Sequence, residues 1–283
     1  SKKSMKNLVI RAVTGALFVA VLVGSILYSP LTFGLLFAFI SGLSAWEFAT
    51  IVNRRAGVRI NRPICSMAAT YLFVAAFFSV IYADALLFVP YFLVMLYLVI
   101  EELYKKSETA IGNLAFTMMS QMYVALPFAL LNILEFEGMQ PGIYVLALFI
   151  FLWCSDTGAY LTGSLIGRHK LFPSVSPGKT WEGSIGGGVL AIAISVLVCT
   201  YLEVGHTLAD VLFWAGMALT VVVFGTWGDL IESLIKRRLG IKDSGHALPG
   251  HGGWLDRFDS TLLATPAVIV YLQLWETFSR SIW

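Results

Sequence analysis

Charge is what this 283-residue sequence has least of: Asp, Glu, Lys and Arg make up 13% of it, and residues of the hydrophobic class make up 58%. An ordinary water-soluble domain carries about 25% charged residues. With a mean hydropathy of +0.81, too little polar side chain is present to cover a water-facing globule of this size. Cysteine is scarce as well. Cys65, Cys154 and Cys199 all lie in apolar surroundings and cannot all pair with one another, which excludes a disulfide scaffold and makes them packing residues. Strict glycine repeats, polar low-complexity tracts and two similar halves of the transporter kind are missing too. The composition leaves an integral membrane chain.

What is present is a series of long apolar runs. A bilayer core of about 30 Å takes roughly 20 residues of helix, and nine runs come near that length: Leu8 to Tyr28, Leu31 to Val52, Ile64 to Tyr82, Ala85 to Leu103, Ile111 to Leu134, Ile143 to Leu165, Ser184 to Leu202, Leu208 to Gly228 and Thr261 to Phe278. Barrel strands would instead alternate over segments of about ten residues. The predicted fold is therefore all-α, a polytopic helical bundle of about nine transmembrane helices in one integral membrane domain, 1–283. Chemistry concentrates in its second half, about 141–283, and the first half, about 1–140, is less specific. The first run lacks a small-residue cleavage site and is followed at once by the second, so it is expected to be a span rather than a signal peptide.

Basic residues mark the cytoplasmic side of short loops. With the N-terminus inside, all but Arg280 of the 19 Lys and Arg residues fall on that side. The expected location is the inner, cytoplasmic membrane. Two segments on the same side, Gly167 to Gly183 and Asp229 to Ser260, are longer than a turn requires and mix Gly and Pro with charges, as functional loops do.

Four groups of residues carry possible chemistry. The stretch from Gly228 to Arg238 reads as a helical continuation of the eighth span, with Asp229, Glu232, Ser233, Lys236 and Arg237 in one polar arc; an interfacial anchor is the plainer reading of Arg237 and Arg238. In the glycine-rich segment from Gly240 to Asp259, Asp256 and Asp259 stand at i and i+3 on a starting helix. Mg²⁺ takes one or two carboxylates plus phosphate oxygens and water, so Asp229, Asp256 and Asp259 would suffice if their helices are neighbours. The alternative is that Asp256 and Asp259 only favour a helix N-terminus. His251 fits a turn or a phosphate contact, with no second ligand at metal spacing. Asp156 lies about nine residues inside the sixth span, where a carboxylate needs a polar cavity or a partner; Glu47, near its helix end, reads as structural. Finally, the loop from Ser174 to Gly183 delivers Lys179 and Thr180 to a helix N-terminus, an outline phosphate site without the Walker spacing. A plain basic turn is the competing reading, and Gly186, Gly187 and Gly188 read as helix-packing surface.

The runs Ser233-Leu234-Ile235-Lys236-Arg237-Arg238, Lys242-Asp243-Ser244-Gly245 and Leu248-Pro249-Gly250-His251-Gly252-Gly253-Trp254-Leu255-Asp256-Arg257-Phe258-Asp259 resemble the signature of the phosphatidate cytidylyltransferases, or CDP-diglyceride synthases. The segments from Asp156 to Tyr160 and from Ser176 to Gly183 are similar to that family's preceding elements, and the likeness runs from about Trp153 to Thr261. It implies transfer of CMP from CTP to phosphatidic acid, giving CDP-diacylglycerol and pyrophosphate in phospholipid biosynthesis. It also implies Mg²⁺ as cofactor, K⁺ as a second cation, membrane lipids as surroundings, a homodimer, and no nucleic-acid partner. Carried over residue by residue, it makes Asp229, Asp256 and Asp259 metal carboxylates and catalytic residues together with Lys242. Ser176, Lys179, Thr180, Ser233, Lys236, His251, Arg257 and Asp156 become substrate contacts, Asp156 in the wall of a polar cavity as an orienter or the ligand of a second cation. The competing readings are a CTP-dependent polyprenol kinase, which would move the γ-phosphate to an alcohol, and a secondary transporter, which would explain Asp156 but not the clustered loops.

Overall fold

A computed structural model describes residues 2–138, 140–201, 207–245, 247 and 252–282, with backbone alone for 2–11, 201 and 280–282. The helices are α1 (Lys2–Tyr28), α2 (Pro30–Arg55), α3 (Arg62–Tyr82), α4 (Val89–Lys105), α5 (Ala110–Met119), α6 (Leu126–Phe136), α7 (Ile143–Ile166), α8 (Trp181–Tyr201), α9 (Leu208–Arg238) and α10 (Leu255–Ile282). A 3₁₀ turn over Ala85–Phe88 leads into α4, and a π turn over Ser120–Ala125 joins α5 to α6. Among the described residues, eight helical stretches are long and apolar enough to cross a membrane, and Ala12–Tyr28 in α1 is a shorter apolar helix. The chain is a polytopic helical membrane protein, and every expected apolar run is helical over its described residues.

Local chemistry explains the breaks. Ser29 and Thr32 cap α2 reciprocally ahead of Pro30, and the Asn61 side chain accepts from the Ile64 N–H ahead of α3. Pro90 sits in the first turn of α4, where its missing N–H costs no helical bond, so the fourth span survives its proline. Pro127 follows the π turn, where a widened turn accommodates a residue that cannot donate.

Two compact units make up the chain. The first comprises 1–142 and 236–258, the second 143–235 and 259–283. The first unit holds α1 to α6 and, from far along the sequence, the end of α9, the following loop and the first turn of α10. Its helices bond side chain to backbone across their interfaces: Ser66 Oγ to the Gly42 carbonyl at 2.8 Å, Gln121 Nε2 to Cys65 O at 3.0 Å and Asn132 Nδ2 to Phe73 O at 3.2 Å. Phe258 is the aromatic centre of that unit, with ring centroids 5.8 Å from Phe18, 6.1 Å from Phe37 and 5.3 Å from Phe128. Such edge-on packing pins the signature segment to α1, α2 and α6.

In the second unit α7 and α8 touch backbone to backbone. A Cβ on Gly158 would lie 2.9 Å from the Gly187 Cα, and Gly186 faces the Thr162 side chain, as small-residue packing predicts, whereas Gly188 makes only an ordinary contact with Val222. On the other side, α9 and α10 run as neighbours: Tyr271 Oη donates to Phe213 O at 2.8 Å, and a Cβ on Gly228 would lie 2.7 Å from the Asp259 carbonyl oxygen.

Candidate active site

The segment 167–183, read from sequence as a loop, contains a two-stranded antiparallel hairpin, β1 (Lys170–Phe172) with β2 (Ser176–Thr180), in the register Lys170 opposite Thr180 and Phe172 opposite Ser176. Strands of three and five residues are too short for a period-2 pattern to declare them. Glu182, in the first turn of α8, fastens the hairpin: it accepts from the Arg168 and His169 N–H groups at 3.1 and 3.2 Å, and its Oε1 lies 2.6 Å from His169 Nδ1. Thr180 closes the entry to α8, its hydroxyl accepting from the Gly183 N–H at 3.1 Å. The buried Thr180 is thus a helix cap, and the next residue back, Lys179, reaches a carboxylate oxygen of Asp229 on α9 as an ion pair. Asp229 also accepts from Ser233 Oγ one turn along α9 at 3.3 Å.

Beside this pair opens a cavity of about 200 Å³, lined by Ser155, Asp156 and Tyr160 of α7, Lys179 and Thr180 of the hairpin, Ser184 of α8 and Thr226 of α9, among others. Hydroxyls, a carboxylate and an ammonium line one space, and Asp156 is exposed to it rather than sealed in apolar packing. Ser176, at the start of β2, is half-buried and outside the cavity lining. Asp229 and Asp259 come from adjacent helices at the level of Gly228, where the backbones meet.

The first unit carries a different arrangement. Lys236 Nζ donates to Asp256 Oδ1 at 2.7 Å, and the N–H groups of Ser244 and Gly253 both donate to Asp256 Oδ2 at 2.8 Å. Glu47, from α2, receives the Ser244 hydroxyl together with the N–H groups of Trp254 at 3.0 Å and Leu255 at 3.2 Å. A helix start exposes donors and a partial positive charge. Here Glu47 caps α10 from across the unit, while Ser244 Oγ takes the Asp256 N–H at 3.3 Å. Two glycines make room. Gly252 has φ 79°, a left-handed conformation that other residues rarely adopt, and a Cβ on Gly245 would lie 2.8 Å from Glu47 Oε2. Glu47 is structural, as its position suggests, and what it holds is the signature segment itself. For Glu47 the only sequence signal is a carboxylate in an apolar run; Ser244 stands in the signature run from Lys242 to Gly245, but nothing there names Glu47 as its partner.

Of the remaining expected residues, Lys242 and Arg257 are exposed, Glu232 is buried instead of sharing the open polar arc, and His251 lies outside the described residues. Among the described residues no three His, Cys, Asp or Glu side chains gather as a group that could hold a metal ion. Two of the three carboxylates expected to hold a metal are matched by lysines, Asp229 by Lys179 and Asp256 by Lys236.

The chain is 38% identical over 169 residues to the phosphatidate cytidylyltransferase of Staphylococcus saprophyticus, covering 59% of this chain and 62% of that protein. It is 39% identical over 181 residues to the protein of the same name from Staphylococcus aureus strain COL, covering 64% and 66%. With that of Staphylococcus epidermidis the figures are 38% over 183 residues, 64% and 66%. The chain thus covers less than two thirds of the length of each of these relatives. Far more of it, residues 9–275, matches the sequence model of the cytidylyltransferase family, and the chain belongs to that family.

Proposed function

We propose that the protein transfers the cytidylyl group of CTP to phosphatidate, giving CDP-diacylglycerol and pyrophosphate, in the inner membrane with its N-terminus and its hairpin on the cytoplasmic side. The observation that carries the proposal is the Lys179–Asp229 pair beside a polar cavity, in a membrane chain of this family. A phosphatidate oxygen attacks the α-phosphorus of CTP, the bond from that phosphorus to the bridging oxygen breaks, and pyrophosphate leaves. The phosphate is already anionic near neutral pH, so no general base is required. The difficulty is bringing two polyanions together, and catalysis rests on positioning and charge neutralisation.

Lys179 supplies an ammonium held in place by Asp229 and by the hairpin that Glu182 fastens. Ser155, Ser184 and Thr226 offer hydroxyls to the nucleotide, and Asp156 an acceptor. A divalent cation and a lysine ammonium seek the same oxygens, so the donor chemistry of Asp229, and of Asp259 beside it, fits Mg²⁺; bound there, it would neutralise charge on the phosphates. Asp256, which already holds Lys236 and two N–H groups, is proposed as a further carboxylate for positive charge.

CTP labelled separately at the α- and γ-phosphorus, supplied with phosphatidic acid and Mg²⁺ in detergent micelles, tests the reaction. The α-label is expected in the lipid fraction and the γ-label in pyrophosphate. A γ-label in the lipid would replace the proposal with a lipid kinase, and label in neither product would end it.

A further inference from the structure

We infer that a groove in the first unit holds one acyl chain of the phospholipid substrate; the inference deepens the proposed reaction and rests on it. The groove, about 210 Å³, is lined by Leu17, Phe18 and Val21 of α1, by Leu36 and Ile40 of α2, and by Trp254. Its positions on α1 recur at helical spacing and make one stripe. Its wall is closed by Leu22 and Ile40, both 1% exposed, whereas Leu17 is 63% and Val21 49% exposed. The groove runs between apolar α1 and α2, and α2 is long and apolar enough to cross a membrane; exposed apolar residues beside such a helix face hydrocarbon, so the groove opens sideways to the bilayer.

The shape and the position of its end select the occupant. From Thr14, which also lines it, to Val21 the stripe rises about 10 Å along α1. A helix with its side chains is about 10 Å across and does not fit this volume, whereas a single hydrocarbon chain does. One end is closed by Trp254, whose N–H is bound by Glu47 and which stands two residues before Asp256. A lipid with its tail in the groove has its head group at the loop that carries Lys236 and Asp256. Lys242 and Arg257 of the same unit present exposed cations there, suited to an anionic phosphate.

The test compares kcat/KM for dipalmitoyl and dihexanoyl phosphatidate, using α-labelled CTP in mixed micelles. Val21→Trp, which fills the groove from its lipid side, is expected to lower the long-to-short ratio about tenfold, the contribution of about two buried methylenes. Leu36→Ala, which widens it, is expected to raise use of a methyl-branched chain at least about threefold relative to a straight one, and this variant carries the test if Val21→Trp fails to fold. Leu96→Trp, on a lipid-facing position of α4 outside the groove, is the control and leaves the ratio unchanged. A ratio within about twofold of wild type in both groove variants would overturn the inference, since a groove filled by bulk lipid behaves that way. So would a change in oligomeric state in place of a change in ratio, which would make the groove an interface between copies. Wild-type protein that labels neither lipid rejects the reaction, and the groove's occupant with it; wild-type protein that labels both, with no length effect in the variants, rejects the groove alone.

Discussion

Two lysine–carboxylate pairs, Asp256 with Lys236 and Asp229 with Lys179, are built to different ends. Asp256 and Lys236 have side chains 7% and 16% exposed, and both Asp256 oxygens are taken, one by the ammonium and one by two backbone N–H groups. Asp229 and Lys179 are 29% and 26% exposed and border a polar cavity. A buried pair with both carboxylate oxygens bonded fixes a loop, and removing one partner leaves an uncompensated charge. A part-exposed pair contributes little to stability and can exchange partners with a substrate. The first unit thus shapes a segment, and the second offers charge.

Asp229→Asn is expected to have the largest effect. If the proposed reaction takes place there, turnover of CTP is expected to fall about a thousandfold, because a preorganised charge at the proposed nucleotidyl-transfer site is lost, while the thermal midpoint moves little, because the pair is part-exposed. Turnover near that of wild type would remove Asp229 from the reaction. Asp256→Asn is expected to cost at least about a hundredfold in turnover and, in contrast, to destabilise the protein by about 3–5 kcal/mol, as the loss of a buried ion pair does. Unfolding can be followed by the reaction of the buried thiols of Cys65 and Cys199 with a maleimide dye on heating. An unchanged midpoint would show that Asp256 is not the fastening the structure makes it.

Glu47→Gln sharpens the same contrast at a smaller scale. Size and one acceptor oxygen are kept, but the charge opposite the α10 N-terminus goes, at a cost of about 1–2 kcal/mol. The expected result is a lower midpoint and about a tenfold loss of turnover, carried by kcat rather than by the KM for CTP, since Glu47 orders a loop and is not proposed to touch nucleotide. A selective rise in KM would move Glu47 into the binding site.

These assignments also show which parts of the molecule a single sequence discloses. Eight of the nine expected spans match helices long and apolar enough to cross a membrane, and the first matches the shorter apolar helix Ala12–Tyr28; they were legible because a bilayer sets one length scale and charges or prolines mark the ends of each run. Continuation of α9 to Arg238 was equally legible from helical periodicity. The hairpin was not, its strands being too short, and neither was the partnership of Glu47 with Ser244, which are separated by 197 residues. Nothing in one chain couples positions so distant; Glu47 is visible only as a carboxylate out of place. Asp229, Asp256 and Asp259 were identified by residue type and spacing, but spacing says nothing of the lysines that hold two of them, and those lysines distinguish a fastening from a site.

The smallest expected effect separates the two roles offered for Thr180. Its hydroxyl accepts from the Gly183 N–H and lies in the cavity lining, so one oxygen both caps α8 and faces the proposed nucleotide site. Thr180→Ala is expected to lower stability by about 1 kcal/mol, the usual cost of losing such a cap, and Thr180→Ser, which keeps the hydroxyl, to restore it. If capping is the whole role, the alanine variant shifts the midpoint and leaves the KM for CTP where it was. If the oxygen also meets a phosphate or hydroxyl of the nucleotide, KM rises severalfold in the alanine variant and returns in the serine variant, because a neutral hydrogen bond contributes about 0.5–1.5 kcal/mol. The cap is satisfied before any substrate arrives, and a hydroxyl that accepts from a backbone N–H still has a proton to donate. The second outcome is therefore the one expected, and it would make the N-terminus of α8 a shared boundary between fold and site.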